Sequence, residues 1–229
     1  MISVEGSVRV DLLGGTLDIA PINLILKKAL TLNLATSLKA KVEIFPLKSK
    51  EDGIEIQSKD YNSTKFFHSH DFTQENIDKN FFGPLTFLVR ILFHLKVSKG
   101  ISIHLSSGSP PGAGLGGSSA MGVTFYKALS AYLGKNIAEE KVIEIVGNIE
   151  AKSLDCGPTG YQDYYPALYG GVLALATTKG LRVAAIDGGS GSVTYGPVID
   201  DVGQVYSLAA DERFVWFGGS AGKVYRADL

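Results

Sequence analysis

A glycine-rich stretch from Pro110 to Ala120 has the residue types and the spacing needed to bind phosphate. It follows the alternating run 101–105, typical of a strand, and leads directly into the helix-like segment 121–133. Glycines let backbone N–H groups approach an anion closely, and the start of a helix adds further N–H groups and a positive dipole end. The stretch therefore predicts a phosphate cradle, here called the glycine loop, with these candidate contacts: Pro110, Pro111, Gly112, Gly114, Leu115, Gly116, Gly117, Ser118 and Ser119.

Ser118 and Ser119, at the expected start of the helix, suit two tasks. They can cap the helix, and they can offer a hydroxyl to a metal ion. The loop lacks the Gly-Lys-Ser/Thr ending of a P-loop, and its glycines do not follow the G-x-G-x-x-G spacing of a dinucleotide fold. Because such a loop is also compatible with a flexible connection, its interpretation depends on the rest of the chain.

Two further clusters carry side chains that can do chemistry. One contains Arg9 and Asp18, and the other contains Glu150 followed by Asp163 in a tyrosine-rich turn. Each residue also has a simpler structural interpretation. Arg9 can pair with Asp11 or Asp18, Glu150 can be solvated at the end of a charged helix, and Asp163 can cap a turn.

Composition excludes several classes of protein. The chain has 229 residues, 45% of them hydrophobic, and a formal net charge of −1, so it carries no electrostatic footprint for nucleic acid. Its single cysteine precludes an intrachain disulfide and fits a reducing compartment. The N-terminus lacks the pattern of a signal peptide, and the most apolar window, 81–97, is too short and too charged to span a bilayer. These features predict a cytoplasmic protein with no membrane partner.

Hydrophobic periodicity predicts an α+β domain. Period-two alternation indicates strands, and apolar residues at helical spacing indicate amphipathic helices. The order of strands, helix, strand, helix, helix favours a mixed sheet with helices. Strands are expected at 4–13, 30–34, 40–44, 54–56 and 101–105, and helices at 84–96, 121–133 and 139–154.

The chain changes character near residue 188. Segments 188–195 and 218–225 both place a glycine-rich turn before a Val/Tyr strand. This repeat predicts a β-meander similar to pieces of a propeller blade, and chance likeness between glycine-rich hairpins is the alternative. We therefore expect two parts, a domain over 1–187 and a β-meander tail over 188–229.

Taken together, the motifs resemble the GHMP small-molecule kinases, named for galactokinase, homoserine kinase, mevalonate kinase and phosphomevalonate kinase. The glycine loop resembles the family's P-x-x-x-G-L-x-S-S-A motif and departs from it at Gly117 and Ser119. The segment from Arg9 to Asp18 resembles the first family motif, and 160–163 resembles the segment with the catalytic aspartate. The resemblance covers roughly residues 3–187, and sugar kinases of the galactokinase and heptose-phosphate kinase kind look most similar.

The resemblance implies a fold, a reaction and roles for single residues. The fold would be the family's N-terminal lobe, a mixed sheet with helices like domain 2 of ribosomal protein S5. The reaction would be ATP-dependent phosphoryl transfer to a hydroxyl of a sugar or sugar phosphate in carbohydrate metabolism, with Mg²⁺. The implied site has Asp163 as base, Arg9 beside it as a second catalytic group, and Ser118, Ser119 and Glu150 as metal ligands. Implied substrate contacts are Asp18, Gly160, Tyr161 and Tyr164.

No convincing copy of the family's third glycine-rich motif is found, so we expect the family's C-terminal half to be truncated or replaced. An uncovered lobe would favour a homo-oligomer. The alternative is a non-catalytic relative that binds nucleotide or ligand without turnover. A propeller-type interaction protein would explain the tail alone.

Overall fold

The structure is a computed structural model. It describes residues 1–19, 22–25, 29–47, 51–110, 112–154 and 160–170, and then six strands within 172–228. The strands are β1 (Ile2–Leu13), β2 (Ala29–Pro46), β3 (Gly53–Ser58), β4 (Ser63–His68), β5 (Ile101–Ser107), β6 (Val172–Thr177), β7 (Leu181–Ile186), β8 (Val193–Tyr195), β9 (Ser207–Ala210), β10 (Phe214–Gly218) and β11 (Val224–Asp228). The helices are α1 (Ile22–Ile25), α2 (Gln74–Asp78), α3 (Thr86–Leu95), α4 (Gly117–Tyr132), α5 (Glu139–Ser153) and α6 (Tyr164–Tyr169).

The long strand β2 organises a sheet of eight strands. Val42 pairs with Val4 of β1 on one edge and with Leu105 of β5 on the other. The first half of β2 pairs with β6 instead, so β5 and β6 follow one another along the same edge. From β4 the order runs β4-β3-β5-β2-β6-β7-β8, with β1 beside β2. Among the described strands only the pairing of β3 with β5 is parallel, which makes this the mixed sheet that the sequence predicts.

The core forms between the helices and one face of this sheet. Alternate residues of β2, Ala40, Val42 and Ile44, are completely buried, as period-two alternation requires. Helix α4 lies against β1 and β2, and α3 and α5 pack against α4, so the apolar stripes of all three helices join one core. The fully buried helical side chains include Val89, Leu92, Val123, Phe125, Leu129 and Val146. No helix among the described residues has the length and the apolar character needed to cross a bilayer.

The predicted fold class is confirmed, and the largest differences in element boundaries concern β2 and α4. The strands expected at 30–34 and 40–44 are one continuous strand, β2. The helix expected from 121 begins at Gly117, because Gly116 adopts a left-handed conformation (φ 69°) that ends the loop there.

Past residue 187 the described residues form strands. β8 pairs with β7 of the main sheet, and β9, β10 and β11 pair consecutively and antiparallel in a second sheet. The predicted boundary at 187/188 lies outside the described residues, as do both predicted glycine-rich turns except Gly218. The division into two domains therefore stays a prediction.

Candidate active site

The glycine loop connects β5 to α4 in a conformation that requires glycine. Gly112, Gly114 and Gly116 have φ values of 76°, 71° and 69°, which are strained for any residue with a side chain. A Cβ at Gly112 or Gly114 would meet no atom within 4 Å, so backbone conformation is the reason for glycine there. Pro110 borders the cavity described below, whereas Pro111 lies outside the described residues.

The loop delivers the N-terminus of α4 into a cavity. The first i→i−4 bond of the helix runs from Ala120 N to Gly116 O at 3.0 Å. The N–H groups of Gly117, Ser118 and Ser119 therefore precede the helical ladder and have no partner within it. Backbone N–H groups at a helix N-terminus favour an anion. The expectation that a serine caps this helix is wrong, since Gly116 holds the N-cap position and no side chain caps it.

The cavity has a volume of about 470 Å³, and its lining combines polar and apolar groups. The polar groups include the glycine loop with Ser118, Ser119, Glu150 and Asp163. The apolar groups include Tyr61, Pro84, Leu85, Phe87, Leu88 and Leu105. Such a cavity suits a ligand with an anionic part and an apolar part.

Glu150 is a buried carboxylate that borders the cavity. It is 5% exposed, and its Oε2 accepts hydrogen bonds from Ser119 Oγ at 2.8 Å and from Tyr164 Oη at 2.7 Å. No cationic side chain of the described residues lies within 4 Å of it. A buried carboxylate without a counter-charge is a favourable place for a cation.

A divalent cation would fit this donor set. Hydroxyl and carboxylate oxygens are hard ligands, and Mg²⁺ takes few of them from protein when phosphate and water supply the rest. Ser118, which is exposed, and Glu150 both border the cavity, whereas the Ser119 hydroxyl is engaged with Glu150. Within the described ranges no group of three or more His, Cys, Asp or Glu side chains is arranged to hold a metal ion, so such a cation would depend on the ligand's own oxygens.

Arg9 of β1 forms an ion pair with Asp163, the candidate base. Its Nε and Nη2 both lie 2.6 Å from Oδ1 of Asp163, and its Nη1 donates to the carbonyl oxygen of Gly114 at 2.6 Å. The Arg9 backbone N–H also donates to Leu115 O at 3.0 Å, which fixes the strand against the glycine loop. Both Arg9 contacts use Oδ1, and Oδ2 of Asp163 accepts no hydrogen bond from the described residues. Asp163 thus keeps one oxygen for a ligand in the cavity.

Burial and charge act against each other at Asp163. Burial raises the pKa of its carboxyl above the ordinary value, and the Arg9 guanidinium opposes that rise without cancelling it. Asp11, whose Oδ2 lies 3.1 Å from Arg9 Nη1, also has a pKa raised mainly by burial. Arg9 therefore faces two carboxylates. The simpler interpretation, a pairing with Asp11, exists in the structure beside the contact with Asp163.

Asp18 lies behind the base in a buried polar network. It is 2% exposed, and its Oδ2 accepts from the backbone N–H of Gln162 at 2.8 Å. A Cβ at Gly160 would lie 2.5 Å from Asp18 Oδ1, so glycine is required there by the close approach of this carboxylate. Burial raises the pKa of Asp18, against the opposing effect of backbone hydrogen bonds.

The two predicted substrate tyrosines differ in placement. Tyr161 is 36% exposed and can meet a ligand, whereas Tyr164 is 1% exposed. Tyr164 donates a hydrogen bond from its hydroxyl to Glu150. The expectation that Tyr164 lines a substrate pocket is wrong, because its side chain has almost no solvent-exposed area with which to contact a ligand.

Sequence reasoning missed several residues of the site. Asn33 is fully buried and donates to Gln162 O at 2.8 Å, and Gln162 donates through Nε2 to Gly15 O. Asn33 faces Asp11 across the β1–β2 pairing. The sequence does indicate that Arg9 and Asp11 are neighbours, because residues i and i+2 of a strand lie on the same face. Nothing in the sequence indicates that Asn33 contacts residue 162.

Comparisons with known proteins agree with this geometry. Residues 85–171 match the family model described as GHMP kinases N terminal domain. A D-glycero-alpha-D-manno-heptose 7-phosphate kinase from Campylobacter jejuni is 28% identical over 170 residues, which are 74% of this chain and 49% of that protein. A mevalonate kinase from Saccharolobus solfataricus is 32% identical over 89 residues, which are 39% of this chain and 28% of that protein.

Solved structures share the fold. A D-glycero-D-manno-heptose 1-phosphate kinase from Bacteriodes thetaiotaomicron superposes with a TM-score of 0.64 at 24% identity, covering 88% of this chain and 61% of the other. The mevalonate kinase of Methanococcus jannaschii also gives a TM-score of 0.64, at 21% identity over 81% of this chain and 56% of the other.

The chain shares its α+β fold with these two solved kinases, and the glycine loop borders its cavity. The match to the GHMP kinases N terminal domain spans the glycine loop, α4, α5 and α6, so this part of the chain is similar to that family, as the sequence motifs predict. The chain spans about half the length of the C. jejuni relative.

Proposed function

We propose that this protein catalyses ATP-dependent phosphoryl transfer to a hydroxyl of a small molecule, with a sugar or sugar phosphate as the acceptor. One observation carries the proposal: three groups border one cavity. They are the N-terminus of α4, the Glu150 carboxylate, which has no cationic partner among the described residues, and the candidate base Asp163. The kinase names of its relatives support the reaction, and the heptose-phosphate kinase of C. jejuni supports the sugar phosphate.

Each residue has a task in such a transfer. The N–H groups of Gly117, Ser118 and Ser119 would hold the phosphates of the nucleotide, and the apolar side chains that border the cavity would contact its base. Oδ2 of Asp163 would accept the proton of the acceptor hydroxyl, while Arg9 holds Oδ1 and fixes the direction of the carboxylate. Glu150 and Ser118 would hold Mg²⁺, which when bound neutralises phosphate charge.

Substrate recognition would come from the other side of Asp163. Tyr161 offers an exposed aromatic ring, and Gly160 keeps the backbone close to Asp18. Because Asp18 is buried, a hydroxyl can reach it only if the turn around Tyr161 shifts, so we assign it the task of shaping this turn as well as contacting substrate.

Calorimetry and a turnover assay test the proposal. The wild-type chain should bind a non-hydrolysable ATP analogue with Mg²⁺ at micromolar affinity, and Ser118→Ala should weaken that binding. Ser153→Ala is the matched control, since that hydroxyl bonds to Ile149 O on α5 and does not border the cavity. Asp163→Asn should bind the analogue as the wild type does and lose at least 100-fold in turnover, within the usual range for a general base, ~10²–10⁴.

The outcomes separate the alternatives. Absence of nucleotide binding in the wild type would contradict the proposal. Binding without turnover of any sugar, sugar phosphate or mevalonate would favour the non-catalytic relative. A cytoplasmic location and a homo-oligomeric state remain predictions from the sequence.

A further inference from the structure

A single carboxylate oxygen on α5 connects helices α4 and α6. Oε2 of Glu150 accepts two hydrogen bonds, at 2.8 Å from Ser119 and at 2.7 Å from Tyr164. All three side chains are buried, so neither bond competes directly with solvent.

The two donors stand next to the groups that would act on the ligands. Ser119 follows Ser118 in the first turn of α4, and both serines border the cavity. Tyr164 is the first residue of α6 and directly follows Asp163, which occupies the N-cap position of that helix. The position of Oε2 is therefore linked through one side chain to the glycine loop and through the other to the candidate base.

The second oxygen of Glu150 is placed differently. Oε1 accepts no hydrogen bond from the described residues, and Glu150 borders the cavity. Two hydroxyl donors on Oε2 restrict rotation of the carboxylate, and a ligand held in one orientation binds a cation without first paying an ordering entropy.

We propose that Tyr164 is a positioning residue: its hydroxyl orients Glu150 toward a divalent cation and couples cation binding to the turn that carries Asp163. This inference rests on the proposed function, since it assigns the cation to Glu150. It gives Tyr164 a role that the sequence had assigned to substrate contact.

The expected effect is a selective loss of cation affinity. A hydrogen bond to a charged group, when removed, changes an equilibrium by about tenfold or more. Tyr164→Phe should therefore weaken binding of Mn²⁺ with a non-hydrolysable ATP analogue about tenfold. Binding of the same analogue in excess EDTA should stay within about twofold, because the ring still fills its buried site.

The experiment uses the full chain and electron paramagnetic resonance titration of Mn²⁺ with the analogue. Tyr165→Phe is the matched control, because this neighbouring buried tyrosine has no hydrogen bond to Glu150. Glu150→Gln tests the cation site itself, and urea unfolding reports on the folding of every variant.

Each outcome decides. A selective loss of Mn²⁺ affinity in Tyr164→Phe, absent in Tyr165→Phe, supports the inference. An equal loss with and without metal, or an equal loss in both tyrosine variants, shows a merely structural role and overturns it. If Glu150→Gln abolishes Mn²⁺ binding while Tyr164→Phe leaves it unchanged, the inference fails and the proposed function stands. If Glu150→Gln leaves Mn²⁺ binding unchanged, the assigned cation site and this inference fail together.

Discussion

Replacement of Gly116 by alanine would test whether the glycine loop sets the position of Asp163. Gly116 has φ 69°, and a Cβ there would lie 3.0 Å from both Cγ and Oδ1 of Asp163. Ordinary contacts begin near 3.4 Å, so the carboxylate must give by a few tenths of an ångström. It cannot do so without disturbing the two contacts at 2.6 Å that Arg9 makes with Oδ1.

The magnitude follows from a comparison with Gly112, which has the same backbone conformation and open space around its Cβ position. Both alanine variants lose about 1 kcal/mol, the lower end of the cost of a left-handed conformation in an L-residue. Gly116→Ala adds a steric contribution of about 1 kcal/mol. This is the low end of the cost of overpacking, because a shift of a few tenths of an ångström by Asp163 relieves the contact. We therefore expect losses in the free energy of unfolding of about 1 kcal/mol for Gly112→Ala and about 2 kcal/mol for Gly116→Ala.

Urea unfolding of the wild type and both variants measures this difference, provided that the m-values agree. Gly114→Ala serves as a second control, since its Cβ would also meet no atom within 4 Å. If Gly116→Ala loses no more than the controls, within about 0.3 kcal/mol, then Asp163 does not lie against the loop and the reasoning about its position is refuted.

Two further predictions concern the carboxylates. Arg9→Met should raise the pKa of Asp163 further, because Arg9 opposes the effect of burial; a carbon-detected NMR titration of the Asp163 carboxyl measures the shift. Stability relative to the wild type should then fall as the pH rises through that pKa, and any acid loss of activity should begin at a higher pH; an unchanged Asp163 titration would contradict the assigned ion pair. Gly160→Ala should lower the free energy of unfolding by about 1–3 kcal/mol, measured with urea, because its Cβ would approach Asp18 to 2.5 Å and displace the carboxylate from Gln162 N. If steric overlap is the cause, the double variant Gly160→Ala with Asp18→Asn should lose as much free energy of unfolding as Gly160→Ala alone, since asparagine has the same shape as aspartate.

Much of the fold follows from the amino-acid sequence. Period-two alternation predicted the strand that became β2, and apolar residues at helical spacing predicted α3 and α5 to within about two residues, because these periodicities are local properties of a chain with one buried face. The glycine loop is a similar case. The sequence places glycine at 112, 114 and 116, and backbone sterics make glycine the favoured residue for the left-handed conformations found there.

Only the tertiary structure decided how the charged groups combine. The sequence offered Arg9 two nearby acidic partners, Asp11 and Asp18, and the family resemblance implied Asp163. The fold pairs Arg9 with Asp11 and with Asp163, which is 154 positions away. It also moved Tyr164 from an expected substrate wall to the buried hydrogen bond with Glu150. Such pairings depend on which elements the sheet and helices bring together, and the energy of a buried carboxylate depends on every neighbour that replaces water around it. The residue types therefore determined which chemistry this chain can support, and the packing of β1, α4, α5 and α6 determined which atoms are placed to support it.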